Sequence, residues 1–134
     1  MDLKLEAIVV PVSDVDRAKA FYEQAGFNLD VDHQPNDDFR VVQFTPPGST
    51  CSIIFGIGVS TVTPGSAQGL HLVVTDVEAA RADLVGRGVD VSEPFHFGPG
   101  GQEPGVDPQR GDYASFASFT DPDGNGWLLQ ERRS

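Results

Sequence analysis

The feature that most limits the fold is a displaced copy of the chain within itself. Val12-Ser13-Asp14-Val15 returns as Val74-Thr75-Asp76-Val77, and Ala18, Ala20 and Gly26 return as Ala80, Ala82 and Gly88. All stand at one offset of 62 residues, 14 to 76 and 26 to 88. A constant offset through a strand, a helix start and a helix stop marks an internal duplication. The first copy opens with the apolar run Leu5 to Val12, which reads as a strand. Ser13-Asp14-Val15-Asp16 then offers a hydroxyl to cap free N–H groups and acids to face the positive end of the helix dipole. Thr75-Asp76-Val77-Glu78 has the spacing of a full capping box. Val15, Ala18, Phe21 and Tyr22 recur at helical spacing, and Gly26 and Gly88 are the expected stops.

Three strands follow each helix. In the first copy they are Phe27 to Val31, Phe39 to Phe44 and Thr50 to Phe55. The last two are joined by Pro46-Pro47-Gly48-Ser49, and residues 33–38 form an exposed loop. In the second copy they are Val89 to Phe95, Tyr113 to Thr120 and the run from Gly126 to Glu131, entered through the tight turn Asp121-Pro122-Asp123-Gly124-Asn125. The expectation is one domain over residues 1–134, with βαβββ repeats at about 3–56 and 69–132 and an aperiodic linker at 57–68. Between Gly48 and Gly124 the offset rises to 76, so the second copy carries 14 extra residues, placed in the Gly/Pro-rich stretch 97–111. Such a loop reads either as a wall over a pocket or as a surface excursion. No Gly-Lys-Ser/Thr follows its glycines, so it is not a phosphate loop.

Twenty acidic against nine basic residues give a net charge of −11. That excess opposes binding to a phosphate backbone or an anionic membrane surface. Cys51 is the only cysteine, which rules out an intrachain disulfide and reads as a small core residue. No run approaches the ~20 apolar residues of a membrane span, and residues 1–6 lack signal-peptide features. A cytoplasmic protein with neither nucleic-acid nor membrane partner is expected.

Tandem βαβββ copies, with Pro11-Val12-Ser13-Asp14 before the first helix and Asp121-Pro122-Asp123-Gly124-Asn125 before the last strand, resemble the vicinal oxygen chelate superfamily. Glyoxalase I, extradiol dioxygenases, fosfomycin-resistance enzymes and bleomycin-resistance proteins belong to it. The resemblance runs from about Leu3 to Glu131. It implies an α+β fold in which two tandem βαβββ units form a cup-shaped half-open β-barrel with helices outside, commonly as a homodimer. Period-two alternation then sends Ala7, Val9 and Pro11, then Gly69, His71 and Val73, and finally Gly126, Leu128 and Gln130 toward the cup.

Metal-dependent members carry His and Glu ligands at one cup-facing position on the first and last strand of each unit. Here those positions fall on Ala7, Ser52, Gly69 and Leu128. Three lack any donor atom and serine is a poor ligand for divalent ions, so no cofactor is expected. A displaced divalent metal on His71, His96 and a carboxylate is the alternative. Two functions follow. One is a metal-free binding protein. Its cup is lined by Val9, Ile54, Val73 and Leu128, with Ser52, His71 and Gln130 as hydrogen-bonding groups and Phe95, Phe97, Tyr113 and Phe116 able to stack on a planar ring. It would take a small apolar or aromatic, possibly cationic, molecule. The other is a lyase, isomerase or dioxygenase, metal-dependent or using His71 as general acid or base. A third reading, a domain serving assembly, rests on Trp127 and the apolar strand edges.

Overall fold

A computed structural model describes residues 1–134 as an α+β structure. The chain runs β1 (Ala7–Val9), α1 (Val15–Gln24), β2 (Asn28–Asn36), β3 (Phe39–Thr45), β4 (Ser52–Ile57), β5 (Leu70–Val74), α2 (Val77–Gly86), β6 (Phe95–Gly98), β7 (Gly101–Pro104), β8 (Ser115–Thr120) and β9 (Gly126–Glu131). Two mixed sheets form, β1-β4-β3-β2 and β5-β9-β8-β6-β7, neither closed on itself. In both, the first and last strands of a repeat pair in parallel and the remaining pairs are antiparallel. The chain divides into two compact units, Met1–Ala67 with Asp121–Asn125, and Gln68–Thr120 with Gly126–Ser134.

In the first unit, Asp14 rather than the expected Ser13 hydroxyl caps α1, accepting the Arg17 N–H at 3.1 Å. Ser13 is used elsewhere: its hydroxyl donates to Asp123 Oδ1 at 2.5 Å and its N–H to Asp123 Oδ2 at 3.1 Å. Val15, Ala18 and Tyr22 form the buried stripe of α1, which lies on β3 and β4. The Tyr22 ring meets Phe27, Phe55 and Phe44 at centroid distances of 5.3, 5.8 and 6.1 Å, within the range of favourable ring pairs. Gly26, at φ +91°, turns the chain out of the helix, a left-handed conformation that costs glycine little.

The Asp121–Asn125 turn belongs to this first unit. The Asp121 carboxylate is 4% exposed. It accepts the Tyr22 hydroxyl at 2.9 Å, the Asn125 side-chain amide at 2.8 Å, and the N–H groups of Asp123 and Asn125 at 3.0 and 2.9 Å. Asn125 Nδ2 also donates to the Pro11 carbonyl at 2.8 Å, and its Oδ1 accepts the Ala67 N–H at 3.0 Å. A buried carboxylate is tolerable only when its lone pairs are filled this way.

Three strand expectations change. β2 continues to Asn36, through residues read as loop. It is an edge strand exposed along its whole length, so no apolar alternation announces it, and an edge accommodates Pro35. The run from Val89 to Pro94 is not a strand, although Val89 and Val91 are buried. Arg81 occupies its carbonyls instead, with Nε on Ser92 O at 2.7 Å and a terminal nitrogen on Val91 O at 3.3 Å. Part of the Gly/Pro-rich insertion is ordered as the β6–β7 hairpin, closed by Pro99-Gly100 between the paired Gly98 and Gly101. The second unit therefore has one strand more than the expected βαβββ. Asp76, not Thr75, caps α2, accepting the N–H groups of Glu78 and Ala79 at 3.0 and 3.1 Å. The capping box is therefore replaced by a simple Asp cap.

If Asp121 fastens the turn, Asp121→Ala removes the acceptor of three buried hydrogen bonds and should destabilise the protein by about 3 kcal/mol, with Tyr22→Phe costing about 2 kcal/mol. Urea unfolding measures both. A loss under about 0.5 kcal/mol for Asp121→Ala, the size of an ordinary surface change, contradicts the assignment.

Candidate functional site

In each unit the helix takes one face of the sheet and leaves the other open. Burial follows period two. Along β5 the exposed residues are His71 and Val73, and along β9 the buried ones are Trp127, Leu129 and Glu131. Val10 is fully buried while Val9 beside it is 40% exposed. These alternations leave Val9, His71 and Val73 accessible, whereas Ser52 and Phe95, at 6% and 9% exposed, are buried.

On the first unit's open face, Val9 stands opposite Ile54, Ile54 opposite Gln43, and Gln43 opposite Val31. Gln43, absent from the expected list, is reached only through this register. Ser52 lies opposite Ala7. Its hydroxyl is 2.7 Å from that of Thr45, which in turn donates to Asp30. At 6% exposed, Ser52 is committed to the sheet more than to a ligand. A cleft of about 250 Å³ adjoins this face, walled by Val9, Pro11, Phe55, Val59 and Val62.

On the second unit's open face, Val73, Gln130, Phe116 and Phe95 stand in one cross-strand row. Phe95 stacks on Phe116 at 5.7 Å, and Phe97, 62% exposed, meets Phe116 edge-on at 5.5 Å. Gln130 Nε2 donates to the Tyr113 carbonyl at 3.1 Å. The Tyr113 ring is half exposed, with the Arg132 guanidinium 5.8 Å from its centroid, an arrangement in which a cation meets the negative ring face. His71 and Leu128 are directly opposite each other. In the first unit the corresponding positions Ala7 and Ser52 do pair, whereas Gly69 and Leu128 do not. The final strand starts two residues after Gly124, whereas β4 starts four after Gly48, which slips the pairing by two. An even slip keeps every side chain on its face.

The four positions at which the resemblance places metal ligands do not fit a metal ion. Ala7, Gly69 and Leu128 offer no donor atom, and the Ser52 hydroxyl is already hydrogen-bonded. The displaced set fails for a different reason. His96 has the opposite parity to Phe95 and Phe97 and is 8% exposed. Its Nδ1 is 2.8 Å from the Gly105 carbonyl and its Nε2 3.3 Å from Glu103, so it turns away from the face that carries His71. No group of three or more His, Cys, Asp or Glu side chains is placed to hold an ion.

Comparison with known proteins gives a family and a fold. The Glyoxalase/Bleomycin resistance protein/Dioxygenase superfamily profile matches residues 4–129. The chain is similar to TnmS3, an antibiotic binding protein from Streptomyces sp. CB03234, at 36% identity and a TM-score of 0.74, covering 98% of this chain and 97% of that one. It is similar also to a glyoxalase/bleomycin resistance protein from the same organism, at 36% identity and 0.70, covering 96% and 100%. A superfamily member from Sphaerobacter thermophilus DSM 20745 shows 28% identity and 0.71, covering 98% of both chains. No curated protein sequence matches.

The rim of the second face is held by an ion pair that the sequence does not announce. Glu131, fully buried, receives Arg110 Nε at 3.0 Å and a terminal Arg110 nitrogen at 2.5 Å, and also the Val77 N–H at 3.1 Å. Arg110 reaches Glu78 at 3.2 Å as well. Arg110 and Tyr113 have φ of +49° and +64°, strained for residues bearing a Cβ. The pair and the Tyr113 N–H to Glu131 carbonyl bond at 2.6 Å hold that geometry. Arg110 hydrogen bonding, outweighing burial, holds the Glu131 carboxyl below its ordinary value of 4.5. A depressed carboxyl contributes stability above its unfolded pKa and loses it as pH falls through the folded one. The wild-type urea midpoint should therefore drop as pH falls below the ordinary carboxyl value of 4.5, and Glu131→Gln should start lower and drop less. Parallel curves for the two proteins would refute the latch.

Proposed function

Since the chain belongs to the Glyoxalase/Bleomycin resistance protein/Dioxygenase superfamily, we propose that it is a binding member, holding a small, largely apolar or aromatic molecule without changing it. The observation that carries this reading is the character of the open faces. They set exposed apolar and aromatic side chains beside a few hydrogen-bonding groups, and the positions where a metal-dependent member needs His and Glu hold Ala7, Ser52, Gly69 and Leu128. Pockets for small molecules have that composition. The 36% identity with an antibiotic binding protein over nearly the whole of both chains supports it.

In this reading Val9, Ile54, Val73 and Leu128 supply apolar contact, Phe95, Phe116 and Tyr113 supply ring faces, and His71 and Gln130 orient the ligand. Ser52 sits behind them as support. The charge of −11 draws cationic ligands toward the site and repels anions. A homodimer and a cytoplasmic location belong to the same proposal. No helix is long and apolar enough to cross a membrane.

A second reading, catalysis without metal, is favoured by one observation: His71 is exposed, with one ring nitrogen held by a backbone carbonyl. A general base needs such an oriented imidazole. The binding reading is preferred because no nucleophile or second acid is hydrogen-bonded to that ring.

Two measurements on one preparation test it. Protein dialysed against Zn, Ni, Mn or Fe and then against buffer should retain well under one equivalent of metal. Aromatic compounds captured by equilibrium dialysis should be recovered chemically unchanged. Stoichiometric metal lost in His71→Ala, or turnover lost in that variant while binding persists, would put the enzyme first.

A further inference from the structure

The asparagines of the chain are Asn28, Asn36 and Asn125, and only Asn125 is followed by glycine. A glycine has no Cβ to hold its backbone nitrogen away from the side chain before it. In a flexible chain that nitrogen attacks the asparagine Cγ. A C–N bond forms, the side-chain nitrogen leaves as ammonia, and water opens the resulting cyclic imide to aspartate or isoaspartate. By its neighbour, Asn125 is the most labile of the set.

By its place it is the most confined. Asn28 and Asn36 lie on the exposed strand β2, whereas Asn125 is fully buried. Its Nδ2 donates to the Pro11 carbonyl and to Asp121 Oδ2, both at 2.8 Å, and its Oδ1 accepts the Ala67 N–H at 3.0 Å. Its backbone N–H and carbonyl are also bonded to Asp121, at 2.9 and 3.0 Å. Cγ reaches the Gly126 nitrogen only by breaking the side-chain bonds together. The product does not fit the same place. A carboxylate at position 125 would lie against that of Asp121, and like charges so close cannot both ionise. The Pro11 carbonyl would lose its donor, and isoaspartate would lengthen the backbone of the turn.

We propose that Asn125-Gly126 is a covalent modification site closed by the fold. It deamidates when the turn opens, and the product bars the turn from forming again. In the folded protein the reaction then follows the population of the open state.

Incubation in mildly alkaline buffer, with and without denaturing urea, tests this, with conversion at each asparagine followed by peptide mapping and mass spectrometry. In urea Asn125 should convert ahead of Asn28 and Asn36. In buffer the order should invert, with Asn125 at least about tenfold slower than in urea. Tyr22→Phe, which removes a hydrogen bond to Asp121, should speed conversion at position 125 in buffer by about tenfold and leave the urea rate unchanged. Should that variant fail to fold, its buffer rate should equal its urea rate. Wild-type protein converted in urea should not regain the native urea midpoint after dilution. Equal rates for Asn125 in buffer and urea, or a buffer rate that Tyr22→Phe leaves unchanged, would overturn the closed site. Converted protein that refolds to the native midpoint would overturn the barrier to re-forming the turn.

Discussion

One helix for each sheet is the constraint from which the rest follows. Each helix has ten residues, about 15 Å of length, and covers one face of its sheet. The other face has no element of its own unit to pack on. Strand periodicity then divides strands such as β8 and β9 into two sets of side chains with different tasks. One set, from Val10, Phe44 and Phe55 to Trp127 and Leu129, fills the core. The other set remains accessible, which makes it the part of the molecule that chemistry outside the chain can meet.

Charge is distributed with the same division. Hydrogen bonds from Arg40, then from Lys19, hold the Asp32 carboxyl far below the usual carboxylate range. Arg40 meets Asp32 and Asp16 at 2.9 and 2.8 Å, and Arg110 is spent on Glu131. The cross-strand rows Val9-Ile54-Gln43-Val31 and Val73-Gln130-Phe116-Phe95 contain no ionised side chain. A ligand arriving there need not strip water from a charge, a cost that would be several kcal/mol. The acidic exterior acts at longer range, on approach.

The repeat made the helices legible, because their starts, stripes and stops depend on spacing alone. The faces followed once the resemblance supplied the cup, and the parallel pairing of first and last strands came from the structure. What escaped depends on which of two competing groups takes a hydrogen bond. Ser13 and Asp14 can both cap a helix, and only the nearby turn carboxylate decides that Ser13 is drawn away. Val89 and Val91 alternate as a strand does, but Arg81 claims the carbonyls that a ladder would need. β2 is hidden because an edge strand exposed on both faces has no apolar period. For the candidate site, period two gave the alternation seen along β5, where His71 and Val73 are exposed, while the cross-strand register lies in the length of a turn lead and had no signal. Arg110 carried no local signal at all, sitting in a Gly/Pro-rich stretch 21 residues from its partner Glu131.

The turn at Asp121–Asn125 has a consequence for modularity. A duplicated gene suggests two interchangeable halves, yet these five residues are encoded in the second copy and complete the first. A fragment ending at the linker would keep Tyr22 in its aromatic nest while losing the carboxylate its hydroxyl bonds to. Pro11 would lose the Asn125 amide as well. The repeat has become indivisible: recombination at the obvious seam would separate a hydroxyl from its acceptor, and any swap of halves between relatives must carry the turn with the half it serves.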